Sequence, residues 1–283
     1  MVYEFEEAGR WPRRTNTSFI SLVPKVDNPY FLNEFRPISL VGCLYKIVAK
    51  IMSLRLKKVL HKIIDVRQSA FLERRGLMDS VLVANEMLEE MKKKKRRCIF
   101  FKVDYEKAYD SINWDFIYYI LQRLGFCERW IGWIRVCLQS SLISVLVNGS
   151  LTQEFKPRKG LRQEDPLTSF LFLIEAEGLV GVIRKVVEKE LLESVSIGDE
   201  LVKVNMLQYA NNTLFFCEAN PQSVFAIKAM LNYFKLTSGL KVNYLKSNIG
   251  RVGCSQQMLQ CCATILNCEV MRTPFKNLGL LIG

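Results

Sequence analysis

Histidine is the scarcest chemical resource in this sequence. His61 stands alone in 283 residues, which argues against zinc sites built on paired imidazoles. One imidazole with no nucleophile nearby does not make a hydrolase either. Cysteine is present nine times, but paired cysteine is missing. No Cys-x-x-Cys occurs, the count is odd, and the cluster Cys254, Cys261, Cys262 and Cys268 lacks regular spacing. This argues against a zinc ribbon, a dithiol redox centre and a secreted disulfide framework. It fits reduced, mostly buried thiols in an intracellular protein, nuclear or cytoplasmic, with no disulfide partner. Long apolar runs are missing too. Leu167 to Ile183 is interrupted by Glu175 and Glu177, so no membrane span is expected. Glu4, Glu6 and Glu7 break any apolar leader.

Negative charge is also in deficit. Asp plus Glu number 28 against 40 Lys plus Arg, a net charge of +12. An excess of that size points to an anionic partner, nucleic acid first, with a plain solvated basic surface as the competing reading. At 49% hydrophobic and 24% charged residues, the chain reads as globular, one large domain or two small ones.

Two stretches organise the rest. Ile99 to Val103 reads as a short buried strand that delivers Asp104 at its C-terminal end. A carboxylate there is costly unless it meets a cation or donors. The plainer reading, an Asp that caps the next turn, is outweighed by a second stretch. Val204 to Gln208, then Tyr209-Ala210-Asn211-Asn212, then Thr213 to Cys217 reads as strand, tight turn and strand, with the asparagines supplying positive φ.

Along the chain, residues 1–17 read as irregular and Ser18 to Val23 as a strand. Leu44 to Ile63 reads as a helix whose other face carries Lys46, Lys50, Arg55, Lys57 and Lys58. Met78 to Met91 is a second helix, with Asp79 or Ser80 as cap. It runs into Lys92-Lys93-Lys94-Lys95-Arg96-Arg97, for which a nuclear-import signal, a nucleic-acid patch and a solvated helix end all remain open. Asn113 to Leu124 and Glu128 to Leu138 are amphipathic helices, and Asn148-Gly149 signals a hairpin over Leu142 to Gln153. Asp165-Pro166 is expected to open a long helix. Asn220-Pro221 opens another, which Gly239 closes. From the 98–104 strand onward the order β, α, β, β, α, β is the split βαβ, ferredoxin-like pattern.

These pieces resemble, in family order, the reverse transcriptase domain of a plant-type LINE (non-LTR) retrotransposon. The matching segments are Phe35 to Leu40, Gln68-Ser69-Ala70-Phe71, Asp104 to Asp110, Gly160-Leu161-Arg162-Gln163 with Asp165-Pro166-Leu167, the Tyr209 turn, Gly239 to Asn243 with Lys246-Ser247, and Leu278-Gly279-Leu280. The resemblance implies an α+β fold with the fingers and palm of a right-hand polymerase. Residues 1–97 would be mainly fingers and 98–283 mainly palm, with the 140–160 hairpin as an insertion and helices on one face of the palm sheet. A thumb, an RNase H region and the endonuclease of intact elements are expected to be absent.

The resemblance also implies an RNA template, a DNA primer, deoxynucleoside triphosphates and Mg²⁺. In that chemistry two Mg²⁺ ions about 3.5–4 Å apart clamp an in-line displacement. The family holds them with the Asp matching Asp104 and an Asp pair at the turn; here that pair is Asn211 and Asn212. Tyr109 matches the aromatic under the incoming sugar, against a core aromatic. Arg36 and Arg75 match fingers cations near template or triphosphate, against surface ion pairs. Gln163 matches a residue beside the nascent base pair, and Lys246 a lysine that assists pyrophosphate departure, against a solvated lysine. The family has Gly at 74 and 164, Asp at 211 and 212, and Pro at 169 and 281; this chain has Arg74, Glu164, Asn211, Asn212, Ser169 and Leu281. Each change can arise from a single G-to-A or C-to-T transition. The expectation is a domain with impaired or lost polymerase activity; the alternative is a non-catalytic, basic nucleic-acid-binding fragment.

Overall fold

The computed structural model describes residues 2–12, 14–198 and 202–283. Along the chain run strands β1 (Thr17–Pro24) and β2 (Phe35–Val41), helices α1 (Cys43–Ile63) and α2 (Leu77–Lys93), and strand β3 (Cys98–Val103). Helices α3 (Trp114–Arg123) and α4 (Glu128–Gln139) follow, then strands β4 (Leu142–Val147) and β5 (Ser150–Leu151) and helix α5 (Thr168–Glu188). The chain continues with strands β6 (Met206–Tyr209) and β7 (Asn212–Glu218), helix α6 (Pro221–Ser238), strand β8 (Asn248–Val252), helix α7 (Gln256–Leu266) and strand β9 (Glu269–Val270).

Two compact units result: Met1–Ile63 with Tyr109–Glu175, and Ile64–Ala108 with Ala176–Gly283. The units interleave along the chain. The first unit carries a four-stranded sheet in the order β2-β1-β4-β5. In it, β4 runs parallel to β1, with Ser18 beside Ile143 and Ile20 beside Val145. The 140–160 hairpin is therefore part of this sheet. Strand β2 was not legible as a strand, because Arg36-Pro37 breaks the apolar alternation. It pairs with β1 over its whole length, from Val41 opposite Ser18 to Phe35 opposite Pro24. Pro37 is tolerated because β2 is an edge strand.

The second unit carries a five-stranded sheet in the order β9-β8-β3-β7-β6. Strands β8, β3, β7 and β6 are each antiparallel to their neighbours, which is the ferredoxin-like arrangement expected of the palm. Phe101 sits opposite Phe215 and Phe100 opposite Phe216, all four buried. Val81, Ala84, Met87, Leu88 and Met91 of α2 pack with Phe100 and Phe216 in one core cluster. Gly250 is required there, because a Cβ would come within 2.2 Å of the Phe100 ring.

Local signals set most helix ends. Asn113 caps α3 through Asp115 N at 2.9 Å. Asn220 caps α6 through Ser223 N, and Gly239 ends it at φ 86°. Two ends differ from expectation. The α2 cap is Gly76, whose N–H donates to Asp79 Oδ2 at 2.7 Å. Helix α5 begins at Thr168, not at Pro166, because Asp165 first makes a tight turn by accepting from Leu167 N at 3.0 Å. Val2–Ala8, read as irregular, is a short helix whose buried Phe5 stacks on Trp11 at 4.3 Å.

Candidate active site

In the second unit, the ladder that pairs Val103 with Thr213 brings the next residues outward, Asp104 and Asn212, to the same end of the sheet. Asp104 N–H donates to Ser247 Oγ at 3.0 Å, and Asp104 O accepts from Asn243 N at 2.8 Å. The Asn243–Ser247 turn thus folds around the backbone of Asp104. It explains why the Gly239–Asn243 and Lys246-Ser247 motifs belong together. Burial pushes the Asp104 carboxyl above its usual range, opposed by the charges of Lys246 and Lys102. The Lys246 charge therefore acts on Asp104.

The hairpin turn itself differs by one residue from the sequence reading. Tyr209 pairs with Asn212, so the central residues are Ala210 and Asn211. The positive φ falls on Ala210, at 52°, in the pattern of a type II′ turn. What holds a strained alanine there is Gln68. Its Oε1 accepts from Ala70 N at 3.0 Å and from Ala210 N at 3.1 Å. The flanking backbone is fixed by Gln208 N to Arg67 O at 2.8 Å and Ser69 N to Gln208 O at 3.0 Å. Gln68 is 1% exposed, and its Nε2 has no partner among the described residues. The Gln-Ser-Ala-Phe motif marked this residue, but its role as a clamp on the turn was not legible. Arg75 donates to the carbonyls of Asp65 (2.6 Å), Gln68 (3.0 Å) and Ile64 (3.1 Å), so its guanidinium shapes the 64–68 segment. Around it, Asp65 is paired with Arg67 and Arg184, which hold its carboxyl low against burial.

In the first unit, Arg36, Tyr109 and Gln163 line one cavity of about 590 Å³, together with Lys50, Glu164 and Ser169. Sequence reasoning nominated the first three separately, and the fold brings them together. Lys50, seen only as part of a basic helix face, joins them. Tyr109 packs on Phe172 at 4.9 Å, and burial pushes its hydroxyl pKa up. The Gly160–Gln163 segment is built onto Tyr109–Ile112 through Gly160 N to Ile112 O (2.8 Å) and Leu161 N to Tyr109 O (2.7 Å). Gly160 has φ 84°, and a Cβ there would meet Asp110 O at 2.7 Å. The loop that carries Gln163 and Glu164 is pinned by a buried ion pair, Arg162 Nη2 to Asp165 Oδ2 at 2.9 Å. Tyr45 OH donates to the same carboxylate at 2.7 Å, the Arg162 guanidinium lies 4.2 Å from the Tyr45 ring centroid, and Asn16 Oδ1 accepts from Arg162 at 2.7 Å. None of these supports was legible in the sequence.

The donor set at the Asp104 end does not fit a pair of divalent cations. Hard cations want oxygen ligands, and these are present, but one carboxylate and two neutral amides supply a single negative charge. Among the described residues, no group of three or more His, Cys, Asp or Glu is placed to hold a metal ion.

Comparison with known proteins follows this geometry. A family model described as reverse transcriptase (RNA-dependent DNA polymerase) matches residues 23–282. The transposon TX1 149 kDa protein of Xenopus laevis is 26% identical, over 95% of this chain and 21% of its own length. The Pol polyprotein of the type-2 retrotransposable element R2DM of Drosophila melanogaster is 24% identical, over 83% of this chain and 21% of its own length. The chain therefore spans about a fifth of these curated relatives. Among solved structures, apo telomerase of Candida tropicalis, truncated from its C-terminal domain, superposes with a TM-score of 0.61 at 13% identity. The match covers 87% of this chain and 52% of that one, a likeness of fold.

Proposed function

The chain belongs to the reverse transcriptase (RNA-dependent DNA polymerase) family, and from that premise we propose that it is the RNA-copying domain of a non-LTR, LINE-type element in which nucleotidyl transfer is impaired. The fold of fingers and palm is in place. The carrying observation is the end of the palm sheet, where Asp104 is met by Asn211 and Asn212. Template-directed synthesis needs charge at that point to balance two cations on the attacking and leaving oxygens, and two of the family's three carboxylates are gone.

The remaining parts keep assignable tasks. Arg36, with Lys50, offers cations to a triphosphate or template phosphate. Tyr109 offers a ring face to the incoming sugar, and Gln163 a polar edge beside the nascent pair. Lys246 serves the departing pyrophosphate, and Arg75 shapes the segment that clamps the turn. Glu164 brings negative charge into the cavity that holds Arg36 and Lys50, where it repels phosphate. The partners are an RNA template, a DNA primer and deoxynucleoside triphosphates, and Mg²⁺ binds weakly at Asp104. The site of action is intracellular, nuclear or cytoplasmic; no helix among the described residues is long and apolar enough to cross a membrane.

The test is primer extension on an RNA template with Mg²⁺ and with Mn²⁺. Extension at or near the background of Asp104→Ala is expected. Robust extension by the unmodified chain would overturn impairment. The Asn pair also favours a second reading, a basic nucleic-acid-binding fragment that binds RNA without copying it; RNA binding without extension in the same assay supports it.

A further inference from the structure

The end of the palm sheet opposite Asp104 carries a basic cavity that the reading above does not use. Strand β3 runs from Cys98, paired with Val252 and Glu218, to Val103, so Cys98 lies about 20 Å from Asp104 at roughly 3.3 Å per residue. At the Cys98 end, a cavity of about 730 Å³ is lined by Lys92, Arg251, Gly253, Gln256, Arg272 and Thr273. No acidic and no aromatic side chain lines it.

The cavity is built by close backbone contact. Gly253 has φ 70°, and a Cβ there would sit 2.5 Å from Arg96 O. The turn after β8 therefore touches the basic run at the end of α2. The structure also separates the members of that run. Lys93 pairs with Glu89 at 3.6 Å and Lys94 with Glu90, while Arg96 donates to Ser196 O at 3.3 Å. Lys92 instead lines the cavity with Arg251 and Arg272, and none of these three side chains has an ion-pair or hydrogen-bond partner among the described residues. Three cations converging without a counter-ion raise the local potential and attract an anion.

We propose that this cavity is a second nucleic-acid site, which holds the phosphate backbone of a single RNA strand away from the reaction centre. Phosphate is the chemistry that three unpaired cations and two polar amide or hydroxyl side chains recognise. The absence of an aromatic removes base stacking, so the site takes RNA without regard to sequence. A cavity of about 730 Å³ has room for the backbone of a short single-stranded stretch. Some 20 Å from Asp104, by the same strand rise, the bound nucleotides are not those being copied. The site therefore anchors template or element RNA whether or not chemistry occurs.

The experiment is binding of a fluorescent, mixed-sequence oligoribonucleotide to the full chain over a salt series, for the unmodified protein and for K92Q/R251Q/R272Q. Each lost single-strand phosphate contact lowers the slope of log affinity against log salt by about 0.7, so a drop of about 2 is expected. The exposed pair K92E/R272E guards against misfolding of the triple variant and should show the larger loss of affinity per site. An unchanged slope in both variants, with melting curves intact, overturns the proposal. So does inorganic phosphate displacing RNA completely at low millimolar concentration, which marks a free-anion site. No RNA binding by the unmodified chain would instead count against the reverse transcriptase reading itself.

Discussion

Glu164 and Arg74 both occupy the left-handed backbone region, at φ 71° and 65°, where the family resemblance places glycine. A side chain in that region costs about 1–2 kcal/mol, part of which glycine returns as unfolded-state entropy. Replacing either residue by glycine should therefore stabilise the fold by about 0.5–1 kcal/mol, raising Tm by a few degrees; a lower Tm for both variants would refute the strain argument. Asp104 gives a second test. Its folded-state pKa is raised by burial, so its ionised form opposes folding at neutral pH, and that penalty fades as pH falls through the raised value. Asp104→Asn should raise Tm at pH 7, with the difference shrinking in acid; a gain that is constant with pH would sink the assignment. Metal affinity belongs to the same site. Calorimetry should find weak Mg²⁺ binding in the unmodified chain and tighter binding in N211D/N212D, with tight binding before repair as the contrary result.

At the scale of elements, helices were the most legible. Leu44 to Ile63 announces α1 by apolar spacing, and Asn220-Pro221 with Gly239 announces both ends of α6, because these signals are local. Strand β3 was legible from Ile99 to Val103 because it is apolar on both faces. Strand β2 was not, since its partner β1 supplies the pairing and its own side chains alternate poorly around Pro37. The start of α5 was misplaced because Asp165, a good cap by type, is drawn into the buried pair with Arg162. The site divides in the same way. Asp104, Asn211 and Asn212 could be nominated from local motifs, whereas Gln68 as the clamp of their turn depends on a contact across 142 residues. Gln68→Leu removes the acceptor for Ala210 N–H and leaves a buried donor unsatisfied, a loss of about 1–3 kcal/mol. Hydrogen exchange should show the Ala210 amide losing protection before the β3–β7 ladder does. Equal protection in the variant would mean that the turn holds itself.

The whole molecule carries its charge and its history together. A net charge of +12 predicts salt-sensitive, sequence-independent RNA binding, with log affinity falling linearly in log salt; a flat dependence would remove nucleic acid as the partner. Affinity of this kind survives mutation easily, because it is spread over many side chains, while catalysis rests on a few. The departures from the family pattern fall on the few. On the proposed reading, Asn211 and Asn212 remove charge where cations would bind, and Glu164 adds charge to the cavity that Arg36 and Lys50 line. Glu164 and Arg74 strain the backbone, and Ser169 lines the Arg36 cavity. Leu281, on an exposed position, costs nothing visible. No alternative chemistry appears in return, and a mixture of harmful and indifferent changes is what unselected mutation leaves. All six can arise from single G-to-A or C-to-T transitions, and we propose that they record methylated cytosine deaminating on either strand of a silenced repeat. Repair of the Asn pair alone should then leave extension poor, because Glu164 remains. Alignment with sibling copies in the same genome should show these two transitions in excess at silent and replacement sites alike. A marked deficit of replacement changes would instead mean that selection has kept this protein, and the Asn pair would need a purpose.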